Sequence, residues 1–358
     1  MTRRAAALVG IFVAAGAGVF AWQSNQTPAG DAFRFRTGVE LINVTATVTD
    51  QDGHFVPGLT KDDFRVFDNE RPQAITHFSA ERVPVSIGIM LDTSASMDGE
   101  KILAARAALD RFLLQLLDPA DEVFLYRFDN VPHLLQGWTT DKHQISDAIA
   151  QIRPRGATSL YDTLADAVRM AQQGHNRKKA VLIISDGNDT SSQMDLPAVK
   201  QLIRQTEVLV YAIAIDDDAT ATIQYRPVSQ NGRFPPPRNP PVPQPFPFPG
   251  GRRPPSMPPP KPAPPSQPSP SGGAGDDDRV NVAALRDITD DSGGRTEIIR
   301  RAQDLDPATA GIADELSRQY YMAYDAPSAK DGRWHDIRVE VRQPEYHVRA
   351  RRGYVDSK

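Results

Sequence analysis

The spacing of apolar positions changes character along the chain. Residues 39–48, VELINVTATV, broadly alternate apolar with polar side chains and are rich in β-branched types, which predicts a half-buried strand. Residues 64–67 and 75–78 predict two further short strands, separated by the turn Asp68-Asn69-Glu70-Arg71. Asp50-Gln51-Asp52-Gly53 marks another turn, and residues 59–64 predict a single helical turn with Thr60 as its cap. From residue 83 the period lengthens. Residues 85–91, VSIGIML, form the near-continuous apolar run of a strand buried on both faces. Residues 101–117 then place Leu109, Phe112, Leu113 and Leu116 at helical spacing. A strand over 123–126 is followed by the Asp129-Asn130 turn, so 131–138 can fold back as an antiparallel edge. Helices are predicted over 145–152, 160–171 and 196–205, with buried strands over 180–184 and 208–215. This alternation predicts a doubly wound, mostly parallel α/β sheet with right-handed crossovers.

A proline-rich block then interrupts the pattern. Residues 227–270 hold 20 of the chain's 31 prolines, a composition that favours extended, solvated chain over a packed core. The pattern resumes with a helix over 282–289, a strand over 296–299 and a helix over 307–318. The block at 226–275 is therefore expected to be an insert within the α/β domain. Strands at 319–325, 334–342 and 346–350 close the chain. Neither these nor the strands before residue 82 make a stable sheet alone, so the two sets are expected to pair into a small antiparallel β-sandwich-like domain. The resulting expectation is an N-terminal β part at 33–82, an α/β domain at 83–318 inserted after it, and a C-terminal β part at 319–355.

The first residues change the picture of where the chain works. Arg3-Arg4 precede an uncharged apolar run over residues 5–22, the pattern of a secretory signal or a signal anchor within residues 1–30. An extracytoplasmic location follows as an expectation: secreted, periplasmic or anchored at the envelope, with contact to the membrane only through that segment. Forty-one basic against 45 acidic residues give a net charge of -4, which gives no reason to expect nucleic-acid binding. The absence of cysteine rules out disulfides, zinc ribbons and thiol nucleophiles.

The candidate chemistry sits in three short pieces. Asp92-Thr93-Ser94-Ala95-Ser96 follows the first buried strand, Gly156-Ala157-Thr158-Ser159 precedes a helix, and Ser185-Asp186-Gly187 follows the next buried strand. Loops at the carboxyl ends of strands meet where the strand order of a doubly wound sheet reverses. The expected meeting point offers two carboxylates, Asp92 and Asp186, and three hydroxyls, Ser94, Ser96 and Thr158. An all-oxygen donor set suits a hard divalent cation, Mg²⁺ first, with Mn²⁺ or Ca²⁺ possible. With no His or Cys in these loops, zinc and copper are poor matches. Three neutral donors leave the charge of such a cation under-compensated, which favours an outside carboxylate. The competing reading is local: Ser94, Ser96 and Thr158 as helix caps and Asp186-Gly187 as an ordinary turn.

The segment Asp92-x-Ser94-x-Ser96, together with Thr158 and Asp186, resembles the metal-ion-dependent adhesion site of von Willebrand factor A domains. The resemblance spans residues 83 to about 318 apart from the proline block. It implies Ser94 and Ser96 as direct ligands, Thr158 as direct or water-mediated, and Asp92 and Asp186 mostly through water. The flanks Gly58-Leu59-Thr60-Lys61-Asp62-Asp63-Phe64, Gln319-Tyr320-Tyr321 and Arg351-Arg352-Gly353-Tyr354 resemble a bacterial, acidobacterial-type group of VWFA-related proteins. The implied function is a binding or adhesion module in which the cation holds an Asp or Glu carboxylate of a protein partner. The family also implies a small shift of its last helix, here 307–318, on ligand binding. Two rival classes stay open: a metal-dependent hydrolase, with Asp129 or Asp162 as the nearby bases, and a structural envelope protein whose site is idle.

Overall fold

The computed structural model describes residues 41–216, 281–326 and 332–355. Both the expected signal segment and the proline-rich block lie outside these residues. The chain begins with β1 (Leu41–Thr49), a single 3-10 turn at Lys61–Asp63, β2 (Phe64–Asp68), β3 (Arg71–Gln73) and β4 (Ile75–Ser79). It continues with β5 (Val85–Asp92), α1 (Glu100–Arg111), β6 (Glu122–Phe128), β7 (Pro132–Thr139), α2 (Lys142–Ala150), α3 (Leu160–Gln172), β8 (Lys178–Ser185), α4 (Leu196–Arg204) and β9 (Leu209–Ile215). After residue 281 come α5 (Val282–Ser292), β10 (Thr296–Ile299), α6 (Leu305–Arg318), β11 (Tyr320–Asp325), β12 (Trp334–Val341), β13 (His347–Ala350) and β14 (Gly353–Val355).

The central sheet has the order β10-β9-β8-β5-β6-β7. Every neighbouring pair is parallel except β6 and β7, which are antiparallel at the edge. Strand β5 is buried along its whole length, which accounts for its unbroken apolar run. Its alternate residues serve two cores. Val85, Ile87, Ile89 and Leu91 join Leu109 of α1, Ile145 of α2 and Ile312 of α6 on one face. Met90 joins Leu164 of α3, Val199 of α4 and Ile288 of α5 on the other. Each such fully buried aliphatic side chain contributes about 1.5–3 kcal/mol, so the three-layer packing rests on the period-two pattern of the strands. Strands β9 and β10, which flank residues 217–280, are neighbours in this one sheet.

The remaining strands form two antiparallel four-stranded sheets, β13-β1-β11-β4 and β14-β12-β2-β3. Each mixes strands from before and after the α/β layer, as the sequence pattern predicts. They share a core of Val44, Val48, Phe64, Tyr320, Met322 and Tyr324. The three flanking motifs meet in this β layer. The Tyr320 hydroxyl donates to the Val56 carbonyl at 2.7 Å and accepts from the Leu59 amide at 3.1 Å. Thr60 and Asp63 bracket the 3-10 turn, with the Thr60 amide and hydroxyl both 2.8 Å from Asp63 Oδ2. The Tyr354 and Tyr324 hydroxyls both donate to the buried Asp68 carboxylate at 2.9 Å.

Three details differ from the sequence expectation. The Asp68–Arg71 turn closes a hairpin onto β3, which the pattern does not announce; Asn69 and Glu70 take positive φ of 46° and 64°, the paired left-handed geometry of a type I′ turn. The helix expected to run to residue 117 ends as α1 at Arg111 and continues as a π turn over Phe112–Leu116. A last strand, β14, pairs with β12. Among the described residues no helix is long and apolar enough to cross a membrane.

Candidate metal centre

The sheet order places β5 beside β8 with β6 on its other side, so strand order reverses between β5 and β8. All three sequence pieces converge there. Strand β5 delivers Asp92 at its carboxyl end, and β8 delivers Ser185 with Asp186 next to it. The loop before α3 is tied to the first loop by the backbone: Arg155 N–H donates to the Thr93 carbonyl at 2.7 Å and Ala95 N–H to the Gly156 carbonyl at 3.1 Å. Thr190 and Ser191 amides both bond the Thr158 carbonyl, at 2.9 and 3.1 Å. These cross-links fix the loops with few conformational choices left.

Side chains complete the convergence. Asp92 Oδ1 accepts from the Ser94 amide at 2.8 Å. Ser94 Oγ lies 3.0 Å from Ser96 Oγ, which donates to Asp186 Oδ1 at 2.8 Å. A Cβ placed on Gly187 would lie 3.1 Å from Thr158 Oγ1 and 3.8 Å from Asp92 Oδ2. The Thr158 hydroxyl and the Asp92 carboxylate thus both lie close to Gly187, with the hydroxyl the tighter neighbour. Asp92, Ser94, Thr158 and Asp186 are buried, while Ser96 is exposed, so the cluster opens to solvent on one side.

The local capping reading does not describe these hydroxyls. Ser94 precedes the 3-10 turn Ala95–Met97 without a side-chain cap bond. The cap position of α3 is Ser159, also without one. Ser94 and Ser96 are instead turned to each other and toward Asp186.

Two residues outside the sequence-derived set take part. Ser185 Oγ donates to Asp92 Oδ2 at 2.5 Å, and Lys101, in the first turn of α1, places its ammonium 2.6 Å from Asp186 Oδ2. Burial pushes the Asp92 carboxyl up to about 6 in spite of the bonds from Ser185 and Ser94. A carboxylate held this way in a dry pocket gains from a nearby positive charge. The donor set therefore fits a hard divalent cation: oxygen only, two acids and three hydroxyls, converging from three loops.

The two acids that a hydrolytic mechanism would need as bases are engaged elsewhere. Asp162 accepts from the Gln193 and Met194 amides at 2.8 and 2.9 Å, which anchors the loop before α4. Asp129 is bonded by Arg127 at 2.6 Å and His133 at 3.2 Å. Burial raises its pKa, but these partners outweigh that and hold it below the ordinary carboxylate range. A separate group of potential ligands, Asp50, Asp52 and His54, lies on the turn after β1. There Asp50 Oδ1 accepts from the Asp52 and His54 amides at 3.0 and 2.8 Å, the role of a turn-forming aspartate.

Residues 87–188 match the model of the von Willebrand factor type A domain, and the chain carries such a domain within its six-stranded layer. No curated protein matches the sequence. Among solved structures, a von Willebrand factor type A protein from Catenulispora acidiphila is 12% identical, with 90% of this chain and 76% of that one covered at a TM-score of 0.46. The conserved hypothetical protein BatB from Bacteroides thetaiotaomicron is 15% identical over 65% of this chain and 97% of its own, at a TM-score of 0.42. The vWF domain of the type V pili tip protein Mfa5 from Porphyromonas gingivalis is 24% identical over 31% of this chain, at a TM-score of 0.28. This chain spans 40% of that Mfa5 chain's length.

Proposed function

We propose that the chain is an extracytoplasmic binding module that holds an acidic residue of a protein partner through a divalent cation. Residues 83–318 would be its von Willebrand factor A domain, and residues 33–82 with 319–355 its β domain. Asp92, Ser94, Ser96, Thr158 and Asp186 hold the cation, Mg²⁺ first, with Mn²⁺ or Ca²⁺ able to replace it. The observation that carries the reading is the hydrogen-bonded chain from Asp92 through Ser94 and Ser96 to Asp186, with Thr158 Oγ1 and Asp92 Oδ2 both close to Gly187 and the serine hydroxyls turned away from capping and toward one another. When bound, the cation supplies an electrophilic site for an outside carboxylate. The protein's own residues prepare that site. Asp92 is oriented by Ser185 and the Ser94 amide, Asp186 is drawn toward Ser96, and the cross-linked loops keep the donors from relaxing apart. Ser96, on the exposed side, marks where a partner would approach.

The test is titration calorimetry of the full chain with Mg²⁺ and Mn²⁺, beside an Asp92→Asn variant and a Ser94→Ala/Ser96→Ala double variant. The expected result is saturable one-site binding in the wild type that both variants lose while keeping the wild-type circular dichroism spectrum. Absence of heat with both metals, or equal binding by the variants, overturns the proposal. A pull-down from envelope extract with and without chelator then tests for a partner.

A further inference from the structure

A charged cleft shares the Arg155 loop, whose amide bonds the Thr93 carbonyl, with the candidate metal centre. It has a volume of about 610 Å³ and lies between strand β7, helix α2 and the loop that leads to Thr158. Its lining includes the apolar Leu135, Ala148 and Ile152 and the three arginines Arg127, Arg153 and Arg155. The single carboxylate lining it is Asp147. With Asp129 paired to Arg127 and Arg155, the three guanidiniums face two acids, a small local positive excess on a chain of net charge -4.

The arginines are not equivalent. Arg127 is held at 2.6 Å by Asp129 and is mostly buried. Arg155 reaches the same carboxylate only at 3.7 Å and its side chain is 75% exposed. Arg153 is exposed and makes no hydrogen bond or ion pair with the described residues. The backbone beneath them is fixed, because Arg106 donates to the Ile152 carbonyl and the Arg155 amide bonds Thr93. A rigid loop thus presents two under-used guanidiniums, which are suited to planar, two-point recognition of carboxylates.

The cleft also lies within reach of the candidate cation ligands. Arg155 precedes Thr158 by three residues, a path of at most roughly 10 Å of extended chain. An extended partner segment covers that distance in about three residues. We propose that this cleft receives a second acidic residue of the same partner segment whose first carboxylate meets the cation, with an apolar residue of the segment over Leu135 and Ile152. The inference rests on the metal-dependent reading above and adds to it the chemistry of the partner: an acidic segment with spaced carboxylates.

The test uses a fluorescein-labelled decaglutamate peptide and the full chain at fixed ionic strength, read by fluorescence anisotropy in Mg²⁺ and in EDTA. The variants are Arg153→Gln/Arg155→Gln and, as a control for net charge, Arg65→Gln/Arg71→Gln, two exposed arginines of β2 and β3 far from the cleft in sequence. In Mg²⁺ the double variant is expected to weaken binding by about fivefold, the sum of two exposed ion pairs. The control is expected to change it less than about twofold. Equal behaviour of the double variant and the control overturns the inference, and leaves the metal reading standing if EDTA still weakens the wild type. Wild-type binding that ignores EDTA but is lost in the double variant overturns the shared-segment proposal through its metal half. Wild-type melting curves for all three proteins, which exposed positions should preserve, exclude misfolding as the cause.

Discussion

Replacing Glu315 should loosen the junction between the α/β layer and the β layer. Its carboxylate, near the end of α6, is buried and accepts from five residues, three of them on strands β1, β9 and β13. Oε1 takes Thr47 Oγ of β1 at 3.1 Å, the Tyr211 hydroxyl of β9 at 2.9 Å, Gln319 Nε2 at 3.4 Å and Arg349 of β13. Oε2 takes Arg295 Nε at 2.9 Å. Truncation to Ala leaves two buried hydroxyls short of an acceptor, at about 1–3 kcal/mol each. Gln319 does not make up that loss, because its Nε2 donates to the Tyr211 hydroxyl at 2.8 Å and to Thr47 Oγ at 3.1 Å and so supplies no acceptor. The two arginines are each 30% exposed, so water replaces much of what they lose, and each pair is discounted to at most about 1 kcal/mol. The total for Glu315→Ala comes to about 4 kcal/mol, or a fall in Tm of roughly 5–8 °C for a chain of 358 residues. Glu315→Gln keeps an acceptor but loses the charge, and should fall between Thr47→Val and Glu315→Ala. Thermal unfolding of the full chain, followed by circular dichroism, measures the series. A Glu315→Ala drop below about 2 °C would mean that the cluster contributes little, and would refute the reasoning.

Other expectations are more local. Burial lowers the Lys178 ammonium from 10.5 to about 8, with Arg82 adding to the effect, so the folded state binds fewer protons than the unfolded one between those values. Stability should therefore rise with pH from about 8 to 10.5, by up to about 3 kcal/mol, and urea melts of Lys178→Met should lack that rise. On the proposed metal reading, Ser185→Ala removes the hydroxyl that orients Asp92 and should weaken Mg²⁺ binding about tenfold by calorimetry, with the fold intact; unchanged affinity would remove Ser185 from the site. Gly294→Ala would place a Cβ 1.9 Å from the Val210 carbonyl oxygen, and since that neighbour is backbone in a buried strand the variant should lose at least about 3 kcal/mol or fail to yield soluble protein. Hydrogen exchange across residues 305–318 should change little when Mg²⁺ alone is added.

What the sequence made legible follows from how each feature is encoded. The strands β5, β8 and β9 are buried on both faces, so their apolar runs announce them directly. Strands β3 and β14 are three residues long, and β3 reads Arg-Pro-Gln, so no periodic signal exists to detect. The π turn after α1 keeps apolar residues where a continued α-helix would, and the pattern cannot separate the two. The candidate ligands Asp92, Ser94, Ser96, Thr158 and Asp186 could be named from the sequence because each lies next to a strand end or helix start that the pattern locates. Ser185 and Lys101 act through spatial proximity to Asp92 and Asp186. Ser185 ends a buried strand and Lys101 opens an ordinary amphipathic helix, so neither is distinctive in one dimension. The arginine cleft is assembled from β6 and a separate loop, and three arginines at positions 127, 153 and 155 have no spacing that marks them.

The position of that junction bears on whether the metal centre can act on the β layer. The candidate ligands lie at the carboxyl ends of β5 and β8. The β layer meets the opposite ends: the Asn43 side chain bonds Glu207, just before β9, at 2.8 Å, and Arg351 reaches the Thr206 carbonyl at 3.5 Å. An eight-residue strand separates the two by roughly 25 Å. Helix α6 is the element whose carboxyl end enters the β layer, and a shift of this last helix is the motion that the resemblance implies. Its end is pinned at several points. Lys178 Nζ donates to the Leu316 carbonyl at 2.7 Å, the Glu315 cluster ties it to β1, β9 and β13, and Gln319 bonds both Thr47 and Tyr211. If displacing α6 forfeits the Glu315 contacts, the cost is the same ~4 kcal/mol as their removal by mutation. A ligand can move an equilibrium only by its differential affinity for the two states. To populate the shifted helix, binding would have to favour that state by about a thousandfold, near the factor that 4 kcal/mol represents. A cation shared among five protein side chains, four of them buried and cross-linked before it arrives, has little reason to discriminate between positions of a helix that contributes none of those donors. On the proposed metal-dependent reading, transmission to the β layer would therefore require a partner, through contacts that reach beyond the cation.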